Sequence, residues 1–453
     1  MKIGGIERAI IGKYNRPVPR YTSYPTALQF RDDIPRQSLL DQCAESAEPL
    51  SVYVHLPFCE SLCWYCGCNT VITRNHSQAD RYLDAVEREL GLYGPVLGAQ
   101  RAVRQLHLGG GTPNFLTPVQ LRRLGRMLQE HFAIEAAAEC SVELDPRTLT
   151  QEQIAIFRDF GFNRASFGVQ DCNPAVQRAV HRVQPHEQNI QTMSWLRDAG
   201  FQSINIDLIY GLPLQTADSF RETLKTVLAL NPDRLALFSY AHVPWIKPAQ
   251  KILEQSALPQ AEEKLRIFIE SLEYLTTRGY DHIGMDHFAR VDDELARAAR
   301  AGTMQRNFQG YSTSVAPSIA GFGVSAISQT PASYRQNHKQ LDDYYEAVNH
   351  DRLPIERGLV LSREDRMRAD LIQRIMCNFA LDTGEFARRW GISFDATFSD
   401  AWTRLGELET DGLVHRSSDR LDVTELGRLL IRNIAEVFDA YANPAPNRHA
   451  RAI

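Results

Sequence analysis

The sequence predicts an α/β fold in which parallel strands present their chemistry at the carboxyl ends. Three observations predict it. Between residues 51 and 242 a short β-type run, a Gly-rich or polar loop and a helical segment recur six times. Such alternation implies parallel strands joined by crossover helices. Each strand is followed directly by residues suited to binding a ligand or a metal, as at the active face of an α/β barrel.

The β-type runs are SVYVHL (51–56), VRQLHL (103–108), ECSVEL (139–144), RASFGV (164–169), SINIDLI (203–209) and RLALFSY (234–240). Apolar residues near helical spacing predict helices over 79–93, 117–132 and 216–230. Thr117 followed by Pro118 reads as an N-cap and a first-turn proline. The runs alone fit an open doubly wound sheet as well as a barrel. After the strands come, in order, PFCESLCWYCGC, GGGTP, DPR, QD, YGLP and AH.

Both flanks differ from this array. The N-terminal segment contains PRYTSYPTALQF (19–30), too Pro-rich and aromatic for a helix and too apolar for a linker, so it is expected to lie against the folded body. Beyond about residue 331 the composition turns helical, and two helices, a DG turn, a short hairpin and a closing helix resemble a winged helix. Residues 355–440 carry 12 Arg, no Lys and 16 Asp+Glu, a net charge of -4 that disfavours DNA binding. No solenoid-type repeat stands out beyond the strand–helix alternation.

At 453 residues, 43% hydrophobic and 23% charged, the chain has room for two or three domains. Its net charge of -5 offers no footprint for nucleic acid, so an anionic substrate must be met by locally placed arginines. The N-terminus lacks the apolar core of a secretory signal, and no run of about eighteen apolar residues exists. A soluble, cytoplasmic protein is expected.

Of eight cysteines, at 43, 59, 63, 66, 68, 140, 172 and 377, four fall within ten residues. Disulfide frameworks spread cysteines to staple distant segments, whereas this crowding suits a metal in a reducing compartment. The spacing is C-x3-C-x2-C-x-C. A structural zinc site joins two separated cysteine pairs, and no second pair follows at the usual distance. A compact loop can instead present three thiolates to one iron-sulfur cubane, leaving one iron open. Gly109-Gly110-Gly111-Thr112-Pro113 exposes backbone groups to close approach, although in isolation it reads equally as a tight turn.

The first three cysteines resemble the signature of the radical S-adenosylmethionine (SAM) superfamily. The likeness extends to YVHLPFC, CWYCGCN, LHLGGGTP, SVELDPR, GVQD, NIDLIYGLP, YAHVP, GMDHFAR, RNFQGY and GVSAIS, to RYTSYPT near the start and to RLLIRNIAEVFDAY near the end. In this order they resemble the oxygen-independent coproporphyrinogen III oxidases (dehydrogenases) over nearly the whole chain. The resemblance implies a partial (β/α)6, TIM-like radical SAM barrel over 49–330, an N-terminal arm over 1–48 and a mainly helical, winged-helix-like domain over 331–453.

It further implies a [4Fe-4S] cluster on Cys59, Cys63 and Cys66, with SAM on the open iron, cleaved to methionine and a 5'-deoxyadenosyl radical. By position, Tyr53, Gly110, Glu143, Ile327 and the Tyr65 backbone go to that SAM. Gly111, Thr112, Gln170, Arg182, Asp207 and Ala241 go to a second SAM. Tyr53, His55 and Cys68 are carried over as catalytic. On pattern alone Arg182 would be a solvated surface residue, Asp207 a strand-end pairing group and His55 a core histidine.

The reaction implied is conversion of two propionate side chains of coproporphyrinogen III to vinyl groups with loss of two CO2, giving protoporphyrinogen IX. The implied partners are the substrate and an electron donor such as flavodoxin or ferredoxin, with the protein a monomer. Related haem chaperones, which bind haem without decarboxylating, lack the fourth cysteine and the RYTSYPT arm, whereas this chain has Cys68 and Arg20 to Thr26. A zinc-binding regulator with a winged-helix tail is the third reading, and the acidic tail opposes it.

Overall fold

A computed structural model of the chain describes residues 5–40, 48–98, 100–313 and 318–442, with side chains from residue 9 onward. Cys43 lies outside the described residues. The chain forms two compact units. One comprises 30–260 with 316–360, the other 1–29 with 261–315 and 361–453. The two units are thus interleaved along the chain.

The first unit holds the six expected strands, β1 (Leu50–Leu56), β2 (Arg101–Gly110), β3 (Phe132–Leu144), β4 (Arg164–Gln170), β5 (Ser203–Tyr210) and β6 (Arg234–Ser239). They lie in chain order and pair in parallel. The outer edge of β1 is taken by a further parallel strand, β7 (Ile319–Phe322), and not by β6. The array is therefore an open, six-stranded partial barrel, as the resemblance implies. From β7 the sheet continues antiparallel through β8 (Ile327–Gln329), β9 (Ser333–Asn337) and β10 (Ile355–Val360). Over 331–360 the predicted helical character gives way to these last two strands flanking one helix, Leu341–Asn349.

Crossover helices α1 (Ser77–Leu97), α2 (Pro118–His131), α3 (Gln151–Asp159), α4 (His186–Asp198) and α5 (Ala217–Leu228) join the strands. Three begin with the same device. The threonines at 117, 150 and 216 each cap a backbone N–H three residues on, and the side chains of Gln120, Gln153 and Ser219 return the bond. Such reciprocal capping satisfies two of the donors a helix start leaves open.

Side chains alternate across each strand, so one face of the sheet meets the helices and the other does not. Val52, Val54, Leu106, Leu108, Val142, Phe167, Ile204 and Ile206 are buried on the helix-facing side. The opposite face carries Tyr53 beside His107 and Ser141 in one row, and Glu143 beside Ser166 and Asn205 two residues further on. Burying such a polar face costs stability unless its groups are hydrogen-bonded.

In the second unit the predicted winged-helix elements form. Helices Thr383–Trp390 and Phe394–Thr410 precede the hairpin Val414–Arg416 and Arg420–Val423, with a third strand, Ala380–Asp382, on its edge. The N-terminal segment packs into this unit, as its aromatic composition predicts. Tyr21 donates to Asp439 at 3.0 Å, and Arg432 donates to the carbonyls of Pro19 and Val18.

Candidate active site

The cysteine loop leaves β1 and is tied down along its length. Cys66 N–H donates to the Cys63 carbonyl at 3.0 Å, Thr73 N–H to the Cys59 carbonyl at 3.0 Å and Trp64 N–H to the Val180 carbonyl at 3.1 Å. The Trp64 ring stacks on His181 at 5.1 Å. Lys247 Nζ donates to the Cys68 carbonyl at 2.7 Å, and Gln250 Nε2 to the Tyr65 carbonyl at 3.1 Å. A loop anchored at so many points holds its sulfurs in place at little further entropic cost.

The sulfurs have unequal surroundings. Cys59 Sγ lies 3.2 Å from Thr112 Oγ1, and burial pushes its thiol up to about 11. A hydrogen bond between Cys66 and Cys68 lowers the Cys66 thiol and raises that of Cys68. Cys63 is buried and faces the guanidinium groups of Arg147 and Arg182, each 3.6 Å away. Among the described residues no three His, Cys, Asp or Glu side chains converge as ligands of a single ion would. Three thiolates on one cubane each hold a different iron and stand apart.

Tyr53 and His55 project from β1. The Asn69 carbonyl can only accept, so His55 Nε2, 3.0 Å away, carries the proton, and Nδ1 accepts from the Tyr53 hydroxyl at 3.0 Å. Burial lowers the His55 pKa, keeping the ring neutral. Glu143, at the end of β3, accepts from Gly110 N–H at 3.0 Å and from His107 Nε2 at 3.2 Å. Burial pushes its carboxyl up, but the bonds from His107 and Gly110 outweigh it and leave the carboxyl below its ordinary value. Its side chain stays 45% exposed, open to a ligand donor. Asp207 on β5 accepts from Asn205 Nδ2 at 2.7 Å and Ser166 Oγ at 3.2 Å, and burial followed by the Glu143 charge pushes it up to about 7.

The remaining predicted residues fall on the same ends. Gly111 and Thr112 follow β2 and donate to the carbonyls of Leu56 and Phe58 at 2.8 and 2.9 Å. Gln170 ends β4 and Arg182 follows the short helix Pro174–Ala179. Ile327 opens β8, its backbone against Gly321, which pairs with Tyr53. Ala241 lies two residues past β6, and no hydrogen bond among the described residues ties it to the others. Arg182 is 7% exposed, the opposite of a solvated surface residue.

The donor set fits a cluster with SAM beside it. The Gln170 Oε1 and Arg182 Nε atoms are buried without a partner, as groups awaiting a ligand would be. Gly110 has φ +110°, and a Cβ there would collide with the His55 ring. A Cβ on Gly168 would meet the side chains of Gln170 and Arg182. Only glycine leaves these approaches open.

Sequence reasoning missed His107, Asp145, Arg147 and Lys247. His107 stacks on Tyr53 at 5.7 Å and orients Glu143, and its signal was available, since it shares the period-two phase of the loop-facing side of β2. Arg147 stood in the quoted SVELDPR with no role attached. Lys247 gave no signal, because its partner is a backbone carbonyl 179 residues away.

Known proteins share this arrangement. The radical SAM superfamily profile matches residues 53–227, and that of the HemN C-terminal domain matches 361–430. An oxygen-independent coproporphyrinogen III oxidase of Synechocystis is 46% identical over 95% of this chain and 94% of its own length. One of Salmonella typhimurium is 49% identical over 96% and 95%. The structure described as the radical SAM coproporphyrinogen III oxidase HemN of Escherichia coli superposes with a TM-score of 0.92 at 47% identity, covering 96% of this chain and 99% of that one. With the cysteine loop, the glycine loop and both flanks included in these matches, the chain belongs to the oxygen-independent coproporphyrinogen III oxidase family of the radical SAM superfamily.

Proposed function

We propose that this chain oxidatively decarboxylates coproporphyrinogen III, converting two propionate side chains to vinyl groups and yielding protoporphyrinogen IX in haem biosynthesis. The observation that carries the reading is the polar face ending in the cysteine loop, within a chain that relatives of that name match over almost its full length. The superfamily implies a [4Fe-4S] cluster and SAM. When bound, they supply one-electron chemistry that removes a hydrogen atom from an aliphatic carbon.

Each residue has a stated part. Cys59, Cys63 and Cys66 would hold the cluster. Tyr53, Gly110, Glu143, Ile327 and the Tyr65 backbone would hold one SAM, with the Glu143 carboxylate receiving an ammonium group and the neutral His55 keeping Tyr53 in place. Gly111, Thr112, Gln170, Arg182, Asp207 and Ala241 would hold a second. Cys68 and His55 would act beside the reacting carbon without binding iron. For each vinyl group the substrate loses one hydrogen atom, one CO2 and one electron, the last to an external acceptor. No general base is required, and none is assigned. What the protein contributes is position and exclusion of water.

An electron donor such as flavodoxin or ferredoxin, a monomeric state and a cytoplasmic location belong to the same proposal. No described helix is long and apolar enough to cross a membrane. The test is an anaerobic assay of reconstituted protein with SAM, a reductant and coproporphyrinogen III. Appearance of the divinyl product supports the reading, and tight haem binding without product favours the chaperone alternative.

A further inference from the structure

Two guanidinium groups, that of Arg182 buried and that of Arg147 partly buried, converge on one sulfur of the cysteine loop. Arg147, just past β3, and Arg182 each direct a nitrogen at Cys63 Sγ from 3.6 Å. Asp145 lies between them. It accepts from Arg147 Nε at 3.0 and 3.2 Å and Nη2 at 2.6 Å, and from Arg182 Nη1 and Nη2 at 3.3 and 3.4 Å. Arg182 is further fixed by the Gly168 carbonyl at 2.8 Å, and Arg147 reaches Ser61 Oγ at 3.4 Å.

Two cations and one anion leave this triad with a surplus positive charge, in a place where an uncompensated charge is costly. The group both guanidiniums face is the Cys63 sulfur. Cys59 Sγ lies against the neutral hydroxyl of Thr112, and Cys66 is hydrogen-bonded to Cys68, with Lys247 and Arg182 acting on it only through their charge. Of the three sulfurs, Cys63 is the one that both guanidinium groups contact directly.

We propose that Arg147 and Arg182 are positioning residues that raise the reduction potential of the cluster through charge-assisted hydrogen bonds to the Cys63 sulfur. The proposal rests on the reading of Cys63 as a cluster ligand. Reduction adds negative charge that spreads onto the ligand sulfurs, so donors and cations there favour the reduced state over the oxidised one. A water-poor surrounding strengthens the effect. Asp145 limits it by offsetting one cation, and orients both planar groups toward the sulfur. The cluster is thereby made easier to reduce by a donor of modest potential.

The test is the midpoint potential of the reconstituted cluster, measured without SAM or substrate by anaerobic redox titration followed by visible absorption and electron paramagnetic resonance. Iron and sulfide are counted first, and their absence from the parent protein would defeat the cluster reading itself. In Arg147→Met with full iron content, the reduction equilibrium is expected to move about tenfold toward the oxidised cluster, about 59 mV more negative for one electron. Arg147→Lys, which keeps the charge and loses the fork, is expected to shift less in the same direction, and it carries the test if Arg147→Met fails to assemble. Ser61→Ala, which removes only the far contact of Arg147, is expected to leave the potential unchanged. An unchanged or more positive midpoint in an iron-replete Arg147 variant overturns the proposal. So does an equal shift in Ser61→Ala, which would assign the effect to loop geometry.

Discussion

Cys68 and Asp207 are the residues whose surroundings make the sharpest demands. On the proposed assignment Cys59, Cys63 and Cys66 complete the protein's share of the cluster, and Cys68 stands next to it as a free thiol. Cys68→Ser is therefore expected to keep iron and sulfide and to lose most decarboxylation, while Cys63→Ser loses the cluster. Equal iron loss in both, by metal analysis, would make Cys68 a ligand. Asp207 is raised to about 7 from 3.8 by burial and then by Glu143. A carboxyl raised on folding binds its proton more tightly in the native state, so its contribution is present below about pH 4 and is lost as pH rises toward 7. Relative to the parent, Asp207→Asn should gain about 1 to 3 kcal/mol of unfolding free energy between pH 5 and pH 8. Unfolding midpoints at the two pH values check it, and a pH-independent difference contradicts it. Residue types and spacing made Cys59, Cys63 and Cys66 legible in the sequence. The Arg182 setting was not legible, because its burial comes from Asp145 and Gly168, residues 37 and 14 positions away.

At the scale of elements, the turn between β7 and β8 is held by α1 through buried polar groups. Tyr82 donates to the His55 carbonyl at 2.6 Å and accepts from Val324 N–H at 3.0 Å. Glu89 accepts from Gly323 N–H at 2.7 Å, Asn337 Nδ2 at 2.6 Å and Tyr344 at 2.7 Å, while burial pushes its carboxyl up to about 7. Tyr82→Phe leaves a buried carbonyl and N–H unpaired and should cost about 1 to 3 kcal/mol by thermal or denaturant unfolding. Retention of full stability would mean that this network does not hold the turn. These groups also explain what the sequence concealed. The strand SYRQN (333–337) is wholly buried yet largely polar, with Arg335 Nε donating to the Tyr93 hydroxyl at 3.1 Å and Asn337 bonded to Glu89. Its satisfaction is tertiary, so it shows no apolar alternation. The start of β3, FAIEAAA, lies ahead of the predicted strand 139–144 and is extended, its first three residues pairing with Arg101 to Val103 of β2. The six strands that carry the site were legible because their apolar phase faces their own crossover helices.

Over the whole molecule, the interleaving of the two units follows from partners distant in sequence. Tyr14 is bonded through its carbonyl to Asn433 Nδ2 at 3.0 Å, and Ala440 N–H donates to the Tyr24 hydroxyl at 2.9 Å. Composition can mark such an arm as packed but not say against what. The two vinyl groups impose a count on the proposed function. Each propionate needs its own hydrogen abstraction, and the species that abstracts is consumed, so one product requires two cleavages of SAM. The direct measurement is a quantitative anaerobic turnover of the reconstituted protein with coproporphyrinogen III, counting divinyl product, CO2 and methionine together. One product with two CO2 and two methionines is the result predicted here. Methionine equal to product, or SAM cleaved with no vinyl group formed, would contradict it.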